Sequence, residues 1–385
     1  MIIVRNIFHQ FIWETAFFEM DWQKTVARLL NWLDEKFDRV HYGSKGELVR
    51  KGELVITPYL GFGASGFIYL KGRVLENKNI LPSRQEDNLW DNLANMFRRI
   101  QSNEIPGARL RASFHSVEVE ATTDGEGFFD VRLDLPTSLP TEPAWQVVDL
   151  ELLAPRLPGS LSVQAKGQVL SIESRAQYGV ISDIDDTILI THATNPLHMG
   201  LTMFLHNART RQAFPGVPSF YRALQQGTVG VPVNPLFYVS SSPWNLYDLL
   251  LEFIQIQGIP LGPMVSLRDW GITELEFLPT SHHQHKLGAI RMILDMLPGL
   301  PFLLIGDSGQ DDPHIYRDIT QGYPGRILGV YIRNVSRSWK RDEIMRRVGD
   351  EIVASGSVFL LTADTQEMAR HAVQQGWIGG KRLGI

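Results

Sequence analysis

Residues 301–314 read PFLLIGDSGQDDPH, and the fold turns on how the GDSG within it is understood. As the site of a nucleophilic serine, Ser308 would need a histidine base, an orienting acid and oxyanion donors close by. Its surroundings point elsewhere. Phe302–Ile305 is one of five short apolar runs, with 178–182, 236–240, 327–332 and 358–361, that alternate with helical patterns. That rhythm predicts βα units around a parallel sheet, not the antiparallel barrel in which such a serine would sit. Gln310 stands where a third glycine would be usual, and Asp311 and Asp312 follow it. Ser308 is therefore read as a loop residue, and the chemistry is assigned to the aspartates.

Two other runs also end in loaded residues. The first ends in Asp183-Ile-Asp185-Asp186-Thr187 and the second in Ser240-Ser241-Ser242. Ligands of an open parallel sheet bind outside the carboxyl ends of its strands, so these segments are expected to converge. Several carboxylates held together repel one another unless protons or a cation neutralise them. Oxygen ligands without imidazole or sulfur suit Mg²⁺. Ser240 offers a hydroxyl to a phosphate oxygen, and Lys286, opening the helical pattern HKLGAIRMILDML, offers a point charge. Taken alone, an Asp-rich loop is also a turn or a helix cap. Thr187 is a candidate cap, and Asp186 and Asp364 fit that role best.

The ordered set of DxDxT, a strand-end serine, a lysine and a strand-end acidic motif resembles the haloacid dehalogenase (HAD) superfamily of phosphotransferases. A closer resemblance, from about residue 50 to the C-terminus, is to the actin-patch-type phosphatidate phosphatases. It is carried by SDIDDTI, FYVSSSPWNLY, HKLGAI, GDSGQDDPHIY and VYIRNV, and by LKGRVLE and TDGEGFF in the strand-rich part. The resemblance implies that Asp183 attacks phosphorus to form an aspartyl-phosphate. Asp185 then protonates the leaving oxygen and later deprotonates water. It further implies Mg²⁺ held by Asp183, the Asp185 carbonyl and Asp307, and a substrate phosphate bound by Ser240, Ser241 and Lys286. The last acidic ligand precedes a proline in the family, which is Asp312; the shorter GDxxxD spacing selects Asp311.

The function so implied is Mg²⁺-dependent hydrolysis of phosphatidate to diacylglycerol and phosphate. The stretches 187–235 and 243–285 are too short for a large cap domain, which suits a phosphate presented on something large. His192, Arg209 and Arg211 fall in the first stretch and are left outside the core site. An alternative is a phosphatase of soluble phosphomonoesters or phosphoproteins. A lipid-binding or scaffold module without turnover is a third reading, disfavoured because a binder has no need of both Asp183 and Asp185.

The remaining sequence sets the frame. The expected architecture is α/β, a HAD-like Rossmannoid parallel sheet with a small cap over 175–385. A β-sandwich-like, immunoglobulin-like domain with an inserted helix (DNLWDNLANMFRRI) precedes it over 50–172, and amphipathic N-terminal helices occupy 1–45. A hydrophobic fraction of 44% in 385 residues supports one substantial core and room for a second. A formal net charge of −5 gives no basic excess for nucleic acid. The absence of cysteine excludes disulfides and thiol catalysis. Residues 1–20 carry Arg5, His9, Glu14 and Glu19 and read as a packing helix, neither signal peptide nor membrane span, with Met20 as an alternative start. A cytoplasmic location, with peripheral membrane contact, is expected. Two motifs are set aside. Gly61–Gly66 matches GxGxxG, but the strand pattern after it makes it a hairpin. His282 and His283, in SHHQHK, lack metal-site spacing and read as loop residues.

Overall fold

The computed structural model describes residues 54–76, 104–155, 162–190, 212–240, 242, 244–265, 280–335 and 338–380. The expected helices in 1–45 and 87–100 lie outside these residues, as do Ser241, His192, Arg209 and Arg211.

Strict alternation in the first half yields strands because every second residue faces a core. The strands are β1 (Leu54–Pro58), β2 (Gly61–Ala64), β3 (Phe67–Glu76), β4 (Arg109–Phe114), β5 (Val117–Thr122), β6 (Phe128–Asp134), β7 (Trp145–Ala154) and β8 (Gln164–Ser171). They form one sheet in the order β1-β3-β2-β8-β7-β4-β5, with β6 also paired to β3. All pairings are antiparallel except that of β2 with β8. Ile68, Leu70, Leu110, Val131, Leu133, Val148, Leu150 and Val169 fill its core. The glycine motif at 61–66 is the β2–β3 hairpin, with Gly66 at φ 89°, so no helix N-terminus follows it to receive a pyrophosphate.

The second half forms a six-stranded sheet, parallel throughout, in the order β11-β10-β9-β12-β13-β14. Its elements, in chain order, are β9 (Gly179–Asp183), α1 (Val217–Gln226), β10 (Leu236–Val239), α2 (Tyr247–Ile256), β11 (Met264–Val265) and α3 (Thr280–Met296). Then come β12 (Phe302–Asp307), α4 (Asp312–Gly322), β13 (Ile327–Arg333), α5 (Trp339–Ala354), β14 (Val358–Thr362) and α6 (Thr365–Gln374). β9 and β12 are buried at every residue, which explains why they read as continuous apolar runs without alternation. From β9 the chain proceeds to β10 on one side, and from β12 to β13 on the other. The crevice at that reversal lies between β9 and β12.

The two sheets share a packed boundary. Phe62 meets Phe237 edge-on at 5.1 Å, Tyr59 stacks on Trp244 at 4.2 Å, and the Leu60 amide donates to the Tyr247 hydroxyl at 2.8 Å. α3 begins at Thr280, so His282 and His283 are helical, not loop residues. No proline or glycine interrupts 280–287, and the helix runs through the histidines until Lys286 lies in its second turn. His283 faces Asp318 of α4 at 3.3 Å.

Candidate active site

Register brings the three strand ends together. Ser182 pairs with Ile305, and Asp183 with Val239, so Asp183, Ser240 and Asp307 leave the sheet at one edge. Asp183, Asp307 and Asp312 each place a carboxylate oxygen within 4.8 Å of the others, and all three are buried. Asp312 reaches the cluster from the first turn of α4. Its approach needs Gly306, where any Cβ would stand 2.4 Å from Asp312 Oδ2. Asp312 Oδ2 accepts from the Asp307 amide at 3.2 Å. Asp311, by contrast, is exposed at the helix N-cap, so the structure brings Asp312 to the cluster and leaves Asp311 outside it.

Lys286 donates to Asp183 Oδ1 at 2.7 Å and also to Asp312 Oδ1. Burial by itself would lower its pKa, but the two carboxylates more than offset that and raise it, so the ammonium stays charged. One ammonium does not balance three carboxylates. Burial holds the Asp183 carboxyl well above the usual range; Lys286 pulls it back, while Asp312, Asp307 and Asp185 push it further up. Asp307 is pushed up to about 8, by burial first and by Asp312 next. Asp307 Oδ1 accepts from the amides of Gly309 at 2.5 Å and Gln310 at 3.1 Å, which fixes the loop after β12. Asp183 Oδ2 and Asp307 Oδ2 are buried with no hydrogen-bond partner among the described residues. Orphaned oxygens of this kind, in a set of carboxylates without imidazole or thiolate, fit a hard divalent cation such as Mg²⁺.

Asp185 follows in a tight turn. The amides of Ile188 and Leu189 return to the Ile184 carbonyl at 2.9 and 3.0 Å, and Asp186 adopts φ 55°. Asp186 is thus a turn residue, and Asp364 caps α6 by accepting from the Gln366 amide at 2.9 Å. Thr187 caps nothing, since its buried hydroxyl lacks a partner among the described residues. Asp185 Oδ2 accepts from Ser240 Oγ at 3.0 Å and from Ser242 Oγ at 2.9 Å, and the Ser242 amide donates to Ser240 Oγ at 3.0 Å. Ser240 therefore directs its proton to Asp185.

Two contributors were given no role by the motif reading. Ser242 lies in the same serine run, and its i+2 spacing from Ser240 was the available signal. Arg333 ends β13 as the aspartates end β9 and β12. Buried, it donates to the Thr187 carbonyl at 3.0 Å, the Ala363 carbonyl at 3.1 Å and Thr365 Oγ1 at 3.0 Å, and lies 4.2 Å over Phe214. It ties the turn after Asp185 to the next strand ends. Ser308 is fully buried. Its amide donates to the Arg333 carbonyl at 2.9 Å, and its hydroxyl joins Asn334 and the Val335 amide at 3.3 and 3.1 Å. It braces the loop, and its hydroxyl is engaged by Asn334 and the Val335 amide and not by a histidine base.

Residues 178–334, which hold every member of this site, match the family described as the catalytic domain of phosphatidate phosphatase APP1. That stretch, somewhat under half of the chain, is similar to the APP1-type catalytic domain. Phosphatidate phosphatase APP1 of Saccharomyces cerevisiae is 32% identical over 198 residues, covering 50% of this chain and 32% of that protein. Protein C29B5.04c of Schizosaccharomyces pombe, which is uncharacterised, is 30% identical over 177 residues, covering 45% and 28%. The chain thus spans about a third of the length of these curated relatives. Among solved structures, a carbohydrate acetylesterase from Xanthomonas citri aligns over 77% of this chain and 65% of its own, at 11% identity and a TM-score of 0.27, too low to bear on fold or function. Among the described residues, no helix is long and apolar enough to cross a membrane.

Proposed function

We propose that the chain is a Mg²⁺-dependent phosphatidate phosphatase, a phosphoric monoester hydrolase releasing diacylglycerol and phosphate through an aspartyl-phosphate. The observation that carries the chemistry is the buried cluster of Asp183, Asp307 and Asp312 around one Lys286 ammonium, with two carboxylate oxygens left unpartnered. The match to the APP1 catalytic domain, and the relative that bears the name phosphatidate phosphatase, carry the choice of substrate.

In this reading Asp183 forms a bond to phosphorus as the bond to the lipid oxygen breaks. Lys286 holds Asp183 Oδ1, so the carboxylate is fixed in place with Oδ2 open. Asp185 gives its proton to the departing alkoxide, which leaves as the hydroxyl of diacylglycerol. The same carboxylate then takes a proton from water, whose oxygen attacks phosphorus and releases Asp183 and phosphate. Ser240 and Ser242 orient Asp185. Mg²⁺, held by Asp183, Asp307, Asp312 and the Asp185 carbonyl, would supply charge neutralisation for the phosphoryl oxygens. Phosphate binding falls to Lys286 and Ser241, and to Ser240 once its hydroxyl turns from Asp185 to the phosphate, Ser242 then holding Asp185.

The same reading takes 175–385 as a HAD-like catalytic domain with a small cap, 50–172 as a β-sandwich-like accessory domain and 1–45 as a helical segment. The location would be cytoplasmic with peripheral membrane contact. Phosphate release from phosphatidate in mixed micelles, beside soluble phosphomonoesters and with or without Mg²⁺, tests the proposal. Activity confined to soluble esters would replace it with a general phosphomonoesterase. No release from any ester would leave a binding module.

A further inference from the structure

A second concavity lies beside the acidic cluster, where the antiparallel sheet meets α3. Tyr59, Phe62, Tyr69, Trp244, Met264 and Met292 line a cleft of 360 Å³. None of the clustered carboxylates lines it, yet it shares its framework with them. Trp244 follows Ser242 by two residues, His285 immediately precedes Lys286, and Val265 pairs with Val239, the neighbour of Ser240. A lipid whose phosphate lies among Asp183, Ser240 and Lys286 would have this cleft within reach along the same sheet edge.

The lining suits hydrocarbon. Aromatic faces and two thioethers adapt to a flexible chain without demanding hydrogen bonds. Tyr59 stacked on Trp244 gives a firm wall. Lys71 carries the one permanent charge among the described lining residues. It is paired with Asp130 at 3.7 Å and lies 5.0 Å from the Phe128 ring centre and 5.5 Å from that of Trp244, so the cleft selects its occupant by its apolar lining and not by charge. The floor is kept low by Gly288 and Ala289 of α3. Glycine weakens a helix interior, and here a Cβ at Gly288 would meet nothing within 4 Å. Backbone packing does not require this glycine, and a larger side chain there would project into the space beside the cleft.

We propose that this cleft receives an acyl chain of the phospholipid whose phosphate monoester is bound at Asp183. The proposal rests on the phosphatidate reading above and adds to it where the lipid tail goes. Taking a methylene as about one water volume, roughly 30 Å³, the cleft holds on the order of a dozen carbons, which is one chain and not two.

Calorimetric titration with monomeric dioctanoylglycerol, the short-chain product without its phosphate, reads the cleft without turnover. The unmodified protein is expected to bind it, and Gly288→Leu to bind about tenfold more weakly, because the leucine occupies the space of several methylenes. The Gly288→Leu protein should melt no lower than the unmodified one. Should it melt lower, Ala289→Leu, at a residue that lines the same cleft, gives the deciding comparison. The ratio of kcat/KM for long-chain phosphatidate to that for p-nitrophenyl phosphate should fall by a similar factor. Equal affinity in both proteins, or no binding by the unmodified one, overturns the proposal. If the unmodified protein binds dioctanoylglycerol but releases no phosphate from phosphatidate, the substrate reading fails while the cleft stands as an apolar-chain site.

Discussion

In the antiparallel sheet, buried Arg73 is matched on every side. Its Nε donates to the Glu126 carbonyl at 2.7 Å, its Nη2 to Glu104 at 3.0 Å, and its guanidinium lies 4.3 Å over Phe128. At the edge of the parallel sheet, Asp183, Asp307 and Asp312 converge on one ammonium, and two of their oxygens have no partner among the described residues. Burying charge without balancing it opposes folding, so a stable fold tolerates it only where something else completes the set. Matched burial in the first sheet is structural; unmatched burial in the second marks where a cation and a phosphate are expected. Arg333 shows that position alone does not decide the matter. It sits at the catalytic edge with no carboxylate in ion-pair reach among the described residues, but its hydrogen bonds all go to the Thr187 and Ala363 carbonyls and Thr365 Oγ1, a bracing arrangement.

The largest effect that would test this contrast is on turnover. Asp183→Asn removes the proposed nucleophile, and phosphate release should fall by more than about 10⁴-fold, the scale on which other covalent catalysts lose rate. Because the change also removes a buried charge from a crowded carboxylate set, the protein should melt no lower than before. Residual hydrolysis within tenfold of the unmodified rate would refute Asp183 as the nucleophile.

Next in size is the cost of stripping the cluster of its counter-charge. Lys286→Met leaves three buried carboxylates facing one another, and without Mg²⁺ should cost about 3–5 kcal/mol in a denaturant melt, with Mg²⁺ restoring part of it. A loss under about 1 kcal/mol, whether or not Mg²⁺ is present, would mean that the cluster is not held together by charge.

A smaller effect follows from Asp307. Burial and Asp312 push its carboxyl up to about 8 from the ordinary 3.8. A folded pKa raised in this way favours the native state below about pH 4, and the benefit is lost as the pH climbs through 8. The metal-free protein should therefore melt lower at pH 9 than at pH 6. Mg²⁺ requires the ionised carboxylate, so its binding should release protons and tighten with rising pH. At a hundredfold excess over its Kd, Mg²⁺ should add about 2.7 kcal/mol of stability. Asp307→Asn and Asp312→Asn should lose that gain and Asp311→Asn keep it; the reverse order for the last two would return the ligand role to Asp311.

Much of this was legible in sequence because function here follows strand ends. Asp183, Ser240 and Asp307 each close an apolar run, and a parallel sheet puts run ends together whatever their separation in the chain. The strand alternation at Val117, Val119 and Ala121 was equally plain. What sequence could not separate was Asp311 from Asp312. Both follow the same strand, and the choice falls out of helix phase, since α4 begins at Asp312 and turns its first side chain inward past Gly306. The start of α3 was misjudged for a related reason: a run of histidines has weak propensity of its own, and it is packing against α4 that continues the helix. Ser242 was visible in the serine run but without a role, and Arg333 was missed because its contact to the Thr187 carbonyl is one that no spacing encodes.

The smallest effect belongs on the other side of the comparison. Asp124 lies in the TDGEGFF turn, where Oδ1 accepts from the Glu126 and Phe128 amides, each at 2.9 Å, and Gly127 adopts φ 75°. Its carboxylate is exposed, so it organises the turn between β5 and β6 without facing any unmatched charge. Asp124→Ala should cost about 1 kcal/mol, the usual worth of such local bonds, and show as a lowered denaturant midpoint. Phosphate release should stay within twofold, because the turn does no chemistry. A tenfold drop in turnover with stability intact would show that the antiparallel sheet takes part in catalysis and that matched charge does not by itself mean a structural role.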